Sequence, residues 1–232
     1  MATSAEAPPD RRTGPREPTG PGVWADPDDE RFATVATAVT ALRTVASVGL
    51  AGVAAHEHSL GWLLASLLVY WVGDVLDGWV ARRYGCETRT GAALDILSDR
   101  LCAAAFYLGL VWLEPSLAAP VLVYLGQFMV LDCFLSLAFL AWPLRSPNYF
   151  DVIDRPLWLW NWSKPGKAAN SALFAVLLLA SGSASLGLVV ALALTGLKIA
   201  SLGRLGRLCL PVPALQYRPL DREADRDVDR IG

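Results

Sequence analysis

The sequence predicts an all-α, polytopic membrane protein: a bundle of six transmembrane helices with a cytoplasmic active site. Hydrophobic residues make up 54% of the 232-residue chain and charged residues only 18%, whereas roughly a quarter of a soluble domain is charged. The apolar residues fall in successive runs of about 20, the length that crosses a bilayer as a helix. Four aspartates at helical spacings interrupt two of these runs, and carboxylates are too costly in a membrane to be kept there without a use.

The chain is expected to divide into a membrane domain over residues 31–208 and two tails. Residues 1–30 are rich in Pro, Gly, Ala and charge and have no hydrophobic period, which predicts a disordered N-terminal tail. Residues 209–232 end in alternating Asp and Arg, which predicts a charged, solvated tail. Between the tails, six helices are predicted near 32–55, 59–81, 91–113, 117–143, 166–182 and 184–203.

The positions of lysine and arginine predict the orientation of these helices. The short connections at 56–58, 114–116 and around 183 contain neither residue. The connections 82–90 and 144–165 carry three each, and further arginines follow the last helix. Because basic loops stay on the cytoplasmic side, both termini and the acidic motif are expected to face the cytoplasm, with the protein in the cell membrane.

Composition argues against two classes of function. The formal net charge of -2 and the absence of a basic stripe do not fit nucleic-acid binding. The four cysteines are widely scattered and there are only two histidines, so zinc spacing is absent.

The four aspartates predict a metal site. Asp74 and Asp77 are three residues apart and Asp95 and Asp99 are four apart, so each pair shares a helix face. A short loop joins the two helices, and the acidic faces are therefore expected to meet. Carboxylate oxygens suit Mg²⁺ or Mn²⁺, and two such ions stabilise the entering and leaving oxygens of a phosphoryl displacement. Asp99, the last of the series, is the expected general base.

Three other uses of the acids would leave different patterns in the sequence. They could pair with Arg82, Arg83, Arg89 and Arg100 to hold helix ends, although four acids with two glycines at these spacings argue against it. They could form the ion path of a membrane transporter, which predicts carboxylates spread through the membrane depth. A catalytically dead scaffold would not need all four acids.

Residues around the acids fit a phosphate-bearing ligand. Gly78 and Gly91 lack the side chains that would keep a ligand from the helix backbone. Arg82 supplies a planar, permanently charged fork that suits phosphate oxygens.

From Asp74 to Asp99 the pattern D-x-x-D-G-x-x-A-R-x(8)-G-x-x-x-D-x-x-x-D resembles the signature of the CDP-alcohol phosphatidyltransferases at every position. The resemblance implies two metal ions on the four aspartates, with Asp99 doubling as general base. It implies attack of an alcohol hydroxyl on CDP-diacylglycerol in the membrane, release of CMP, and a homodimer. It also implies that the CDP group is bound by Gly78, Arg82, Thr88 and Gly91.

The first helix matches the family less closely. The family often has Asn-x-x-Thr-x-x-Arg there, and this chain has Thr37-x-x-Thr40-x-x-Arg43. The resemblance places Thr37 and Thr40 in the nucleotide pocket, with helix packing as the alternative. Arg43 lies about three turns into a membrane helix and is expected to need an anionic partner.

The acceptor site is predicted from fewer residues. Gly166-Lys167 resembles a basic motif of the family, and Lys198 and Arg204 are further candidates, with snorkelling to the interface as the alternative for each. Asp132 either contacts another helix or borders the acceptor pocket. Because the reaction is common in the family, glycerol-3-phosphate is ranked ahead of phosphatidylglycerol, inositol phosphate and serine.

Overall fold

The computed structural model describes residues 22–208. The predicted C-terminal tail at 209–232 and residues 1–21 of the predicted N-terminal tail lie outside the described residues. Within the described range the fold is all-α, as the sequence predicts, apart from one isolated antiparallel bridge between Trp24 and Leu144.

Three long helices form the first half of the bundle. They are α1 (Val35–His56), α2 (Leu60–Arg83) and α3 (Arg89–Leu113). Thr34 caps the start of α1, and its side chain accepts a hydrogen bond from the Thr37 amide. α1 packs along both α2 and α3. The buried hydroxyls of Ser47 and Ser66 each hydrogen-bond across α1 and α2, a small-residue contact typical of membrane helices.

The fourth run is a composite helix. A 3₁₀ turn (Pro115–Leu117) leads into α4 (Ala118–Gly126), a π-helical turn (Gln127–Asp132), α5 (Cys133–Leu137) and a final 3₁₀ turn (Ala138–Ala141). π-helical turns occur mostly inside α-helices and frequently at functional sites. This one ends at Asp132, which lines the cavity described below.

Shorter elements follow before the last long helix. They are a 3₁₀ helix (Pro147–Val152), α6 (Arg155–Asn161), α7 (Lys164–Lys167), a second π-helical turn (Ala168–Ala172), α8 (Leu173–Ser181) and α9 (Ala184–Leu205). α9 packs against α4.

The described residues contain five helical runs long and apolar enough to cross a membrane: α1, α2, α3, the composite run 115–141 and α9. The protein is therefore a polytopic membrane protein. The predicted fifth helix at 166–182 forms as the helical run 164–181, which is not one of the five. The first turns of this run carry Lys164, Pro165, Lys167 and Asn170. The apolar stretch that follows them is therefore shorter than in the other five runs.

Two clusters of buried apolar side chains hold the bundle together. The central one stacks aromatic rings from α3, α4 and α8, and the Tyr124 and Phe174 ring centroids are 4.1 Å apart at 10°. The second lies around the 142–157 segment and includes Phe139, Phe150 and Leu157, all fully buried.

Residues 22–30 are a correction to the predicted disordered tail. This strap (22–30) hydrogen-bonds to the 143–145 segment: the Ala25 amide donates to Pro143 O at 2.9 Å and the Arg145 amide to Val23 O at 3.1 Å. Arg145 Nε also donates to Trp24 O at 2.8 Å. Main-chain pairing of this kind needs no hydrophobic period, so composition alone did not indicate it.

Candidate active site

The two acidic helix faces meet, as their spacing predicts. α2 contributes Asp74 and Asp77, and α3 contributes Asp95 and Asp99. Asp74, Asp95 and Asp99 each offer one carboxylate oxygen, and these three oxygens lie within 4.8 Å of one another. Asp77 stands beside this trio and is joined to it through Arg43 of α1.

Arg43 is the cation at the centre of the acids. Its Nε donates to Asp77 Oδ2 at 2.7 Å and its Nη2 to Asp99 Oδ1 at 2.9 Å. Nη2 also donates to Asp95 Oδ1 and lies 3.8 Å from Asp74 Oδ1. The expectation that Arg43 has an anionic partner is confirmed, and the partner is the whole acidic group.

The predicted alternative pairing of these acids is absent from the described residues. No ion pair there joins the four aspartates to Arg82, Arg83, Arg89 or Arg100. Arg100 pairs instead with Asp132, and Arg89 donates to the carbonyls of Leu140 and Trp142.

The two threonines of α1 differ in what they contact. The Thr40 hydroxyl lies 2.9 Å from Asp77 Oδ2 and 3.1 Å from Ala36 O, so it orients a carboxylate. Thr37 forms a capping box with Thr34, with 2.7 Å between their hydroxyl oxygens. Both threonines line the cavity.

Gly78 makes room for Arg82. A Cβ built at Gly78 would lie 3.2 Å from Nη1 and 3.3 Å from Nη2 of Arg82. The guanidinium therefore lies across Gly78, the residue that follows Asp77, and it is exposed on the cavity wall.

Thr88 and Gly91 form the start of α3. The Thr88 hydroxyl accepts from the Gly91 amide at 3.0 Å, and a Cβ at Gly91 would approach that oxygen to 2.9 Å. Glu30 of the strap accepts from the Arg89 amide at 2.8 Å and the Thr90 amide at 3.3 Å. Burial raises the pKa of Glu30, but these hydrogen bonds outweigh it and hold the pKa below its usual value.

A cavity of about 420 Å³ contains the site. Every residue predicted to bind metal or CDP lines it, together with Tyr70, Trp71, Asp132, Asn161, Lys167 and Asn170. A pocket of this size is within the range for small-molecule sites.

A loop-to-loop contact beside this cavity has no signal in the sequence. Glu87, in the connection between α2 and α3, accepts from the Ser146 hydroxyl at 3.2 Å and the Tyr149 hydroxyl at 2.8 Å. Burial and the adjacent Glu87 carboxylate raise the pKa of Tyr149 to about 12. Glu87 and Ser146 line the cavity, so this contact fixes part of its wall.

Of the three residues predicted for the acceptor, only Lys167 lines the cavity. It is exposed, and no ion pair of the described residues involves it. Arg204 binds Asp154 through two hydrogen bonds of 2.8 and 2.9 Å. These bonds lower the pKa of Asp154.

Lys198 belongs to a buried polar network. Its Nζ lies 2.6 Å from Asp132 Oδ1 and donates to Asn161 Oδ1 at 2.7 Å. Arg100 Nη2 donates to the other oxygen of Asp132 at 2.5 Å. Asp132 is therefore the shared counterion of two buried cations on α3 and α9. The sequence contains all three residues but not their pairing, because they are far apart along the chain.

The acidic trio fits a hard divalent cation. Its donor atoms are carboxylate oxygens, and no histidine or cysteine joins the group in the described part of the chain. Such oxygens are the ligands that Mg²⁺ and Mn²⁺ prefer.

Residues 33–199 match the family model described as CDP-alcohol phosphatidyltransferase. The match covers more than half of the chain and includes all four aspartates. The chain belongs to the CDP-alcohol phosphatidyltransferase family. Members of this family are typically metal-dependent, which agrees with the donor set of the trio.

The similar curated proteins are phosphatidylinositol phosphate synthases. The one from Mycobacterium tuberculosis is 44% identical over 77 residues, which cover 32% of this chain and 34% of that protein. The one from Mycolicibacterium smegmatis is 33% identical over 112 residues, 46% of each chain. The chain thus spans less than half the length of the curated relatives it matches. No solved structure matches.

Proposed function

We propose that this protein transfers a phosphatidyl group from CDP-diacylglycerol to an alcohol and releases CMP, in phospholipid synthesis. The observation that carries the proposal is the gathering of four aspartates around Arg43 on the wall of one cavity, in a chain of this family. A transporter would spread its carboxylates through the membrane depth, whereas these are gathered around Arg43.

In the proposed reaction the acceptor oxygen forms a bond to the phosphorus that carries the diacylglycerol. The bond from that phosphorus to the CMP oxygen breaks, and Asp99 takes the proton of the acceptor hydroxyl. Two Mg²⁺ or Mn²⁺ ions, held by Asp74, Asp77, Asp95 and Asp99, would supply charge stabilisation for the entering and leaving oxygens. Thr40 orients Asp77 by its 2.9 Å hydrogen bond.

The CDP group is proposed to lie along α2 and the start of α3. Arg82 would contact a phosphate, because its guanidinium lies on the open backbone at Gly78. Thr37, Thr88 and Gly91 border the same cavity, although the Thr88 hydroxyl also caps α3.

For the acceptor we propose inositol phosphate rather than glycerol-3-phosphate. The support comes from the relatives, which are named for making phosphatidylinositol phosphate. Lys167, exposed on the cavity and without an ion-pair partner among the described residues, is the proposed contact for the acceptor phosphate. Lys198 and Arg204 are not proposed for this role, since each is paired with an aspartate and neither lines the cavity.

For the membrane arrangement we propose six spans, with the run 164–181 as the fifth. The membrane domain would cover residues 31–208, and both termini and the active site would face the cytoplasm, following the distribution of lysine and arginine. A homodimer in the membrane is proposed from the family resemblance alone.

The acceptor is tested with a panel offered to the purified protein together with CDP-diacylglycerol and Mn²⁺. Inositol phosphate is expected to give CMP and a phosphatidylinositol phosphate, and glycerol-3-phosphate, serine and phosphatidylglycerol much less. Lys167→Met should raise the KM for inositol phosphate with little change in thermal stability. The matched control is Lys164→Met on the same helix, exposed and absent from the cavity wall. A higher rate with glycerol-3-phosphate would reject the proposed acceptor.

A further inference from the structure

Arg43 lies in the space that a metal ion on the acidic trio would occupy. The trio is Asp74, Asp95 and Asp99, whose nearest oxygens lie within 4.8 Å of one another. A single atom of Arg43, Nη2, contacts all three: it donates to Asp95 and Asp99 and lies 3.8 Å from Asp74. The guanidinium tip therefore lies among the oxygens that would ligate the ion.

The ion and this Nη2 atom cannot share that position. Mg²⁺ binds carboxylate oxygens at about 2.0–2.1 Å, and a guanidinium nitrogen approaches them to roughly 2.7–2.9 Å. Both cations use the same oxygens, and they repel each other because both are positive. Binding of an ion to all three members of the trio thus requires Nη2 to move.

The rest of Arg43 is held outside the trio. Its Nε donates to Asp77 at 2.7 Å, and its stem lies close to Gly73, where an added Cβ would come within 2.6 Å of Arg43 Cβ. Its third nitrogen, Nη1, is buried and has no hydrogen-bond partner. Nε and the stem hold the side chain at Asp77, while the hydrogen bonds of Nη2 go to the oxygens that an ion would use.

We propose that Arg43 is a built-in counter-cation of the metal site. It holds Asp74, Asp95 and Asp99 together before metal binds and yields its Nη2 position to the ion. This inference rests on the proposed function, because the ion is the one that the transfer reaction would use. Without Arg43 the four carboxylates would repel one another with no cation between them.

The proposal predicts the direction in which metal affinity changes. An internal cation that occupies the site lowers the apparent affinity for the ion by the fraction of time that the site is free. Removing the guanidinium therefore strengthens metal binding, although it weakens the metal-free fold. A residue that only assembled the acids would have the opposite effect on affinity.

The test compares Mn²⁺ binding to the purified wild type and to Arg43→Met, with no added substrate lipid or nucleotide. Binding is measured by isothermal titration calorimetry and by the electron paramagnetic resonance signal of unbound Mn²⁺. Arg43→Met is expected to bind Mn²⁺ about tenfold more tightly. Its thermal unfolding midpoint without metal should fall, and Mn²⁺ should raise that midpoint by more than it does in wild type. The control is Arg204→Met, which removes an ion-paired arginine away from the cavity and should keep wild-type affinity.

Equal or weaker Mn²⁺ binding by Arg43→Met would overturn the proposal while leaving the proposed function in place. No Mn²⁺ binding by wild type would overturn both. If Arg43→Met does not fold, Arg43→Gln replaces it, because a neutral amide can still donate to Asp77, and tighter Mn²⁺ binding is expected there too.

Discussion

At the scale of single residues, the four aspartates differ in how far water reaches them. The Asp74 side chain is 45% exposed, Asp95 34%, Asp99 22% and Asp77 5%. The Asp77 carboxylate accepts hydrogen bonds from both Thr40 and Arg43. The Asp99 carboxylate accepts one from Arg43 and faces the cavity. This difference supports Asp77 as a positioned metal ligand and Asp99 as the group free to take a proton.

Asp99→Asn is expected to lower CMP release by at least about 10²-fold, because an amide cannot accept the acceptor's proton. The thermal unfolding midpoint in detergent should stay near that of wild type. Asp151→Asn, on an exposed residue, is the control and should retain activity. Wild-type rates for Asp99→Asn would remove Asp99 as the base.

Gly73→Ala tests how closely Arg43 packs. A Cβ there would lie 2.6 Å from both Cβ and Cδ of Arg43, so the arginine side chain or the α1–α2 contact has to shift. We expect a loss of about 1–3 kcal/mol in unfolding free energy and a fall in activity. The matched control is Gly196→Ala in α9, where nothing lies within 4 Å of the added carbon; an equal loss in the control would show that the packing argument is wrong.

Much of this site was predictable from residue spacing, and the reason is local. Spacings of three and four place Asp74 with Asp77 and Asp95 with Asp99 on helix faces, and a short loop brings those faces together. Arg43 was predictable only as needing an anion. The partners of Lys198 and Arg204 were not predictable, because Lys198 lies 66 positions from Asp132 and Arg204 lies 50 positions from Asp154.

At the scale of elements, α3 begins under two caps from different parts of the chain. Thr88 accepts from the Gly91 amide, and Glu30 accepts from the Arg89 and Thr90 amides. Because α3 carries Asp95 and Asp99, the strap at 22–30 takes part in placing the acids. A sequence pattern for the Glu30 contact does not exist, since it joins residues about 60 positions apart.

The Glu30 cap predicts a pH dependence of stability. The folded-state pKa of Glu30 lies below the ordinary value of 4.5, so its stabilisation is complete above that value and is lost as the pH falls through the lower folded pKa. Thermal unfolding of wild type and Glu30→Gln should therefore differ most near neutral pH and converge in acid. If the difference between their unfolding midpoints grows as the pH falls, the Glu30 carboxylate does not stabilise the start of α3.

The network of Asp132 predicts a large cost for one neutral substitution. Asp132→Asn would leave Arg100 and Lys198, both buried, without their shared counterion, at a cost of roughly 3–5 kcal/mol. Adding Lys198→Met to Asp132→Asn should recover part of that loss, since one buried charge is removed. The stabilities of the two variants are measured by thermal unfolding. An Asp132→Asn protein as stable as wild type would show that the network is not held together by its charges.

At the scale of the whole molecule, hydropathy predicted the long helices and missed the interruptions. Both π-helical turns, Gln127–Asp132 and Ala168–Ala172, lie within runs that the sequence predicts as single continuous helices. Each turn supplies cavity residues, among them Asp132 and Asn170. The choice between α and π geometry depends on packing against other helices, which a single-sequence pattern does not contain.

The same limit applies to the substrates. The acidic motif identifies the family, and the family match covers residues 33–199. The part of the cavity wall formed by α5, α6 and the second π-helical turn consists of side chains that meet only in the fold. The proposal of inositol phosphate as the acceptor therefore rests on the similar proteins and not on a motif of this chain.

The central claim is tested most directly by metal-dependent CMP release from CDP-diacylglycerol by the purified protein with inositol phosphate. The proposed function predicts CMP formation with Mg²⁺ or Mn²⁺, none after chelation, and full recovery when either ion is restored. CMP release that is unaffected by chelation would contradict the assignment of the four aspartates, and no CMP with any alcohol in the presence of metal would contradict the transfer reaction itself.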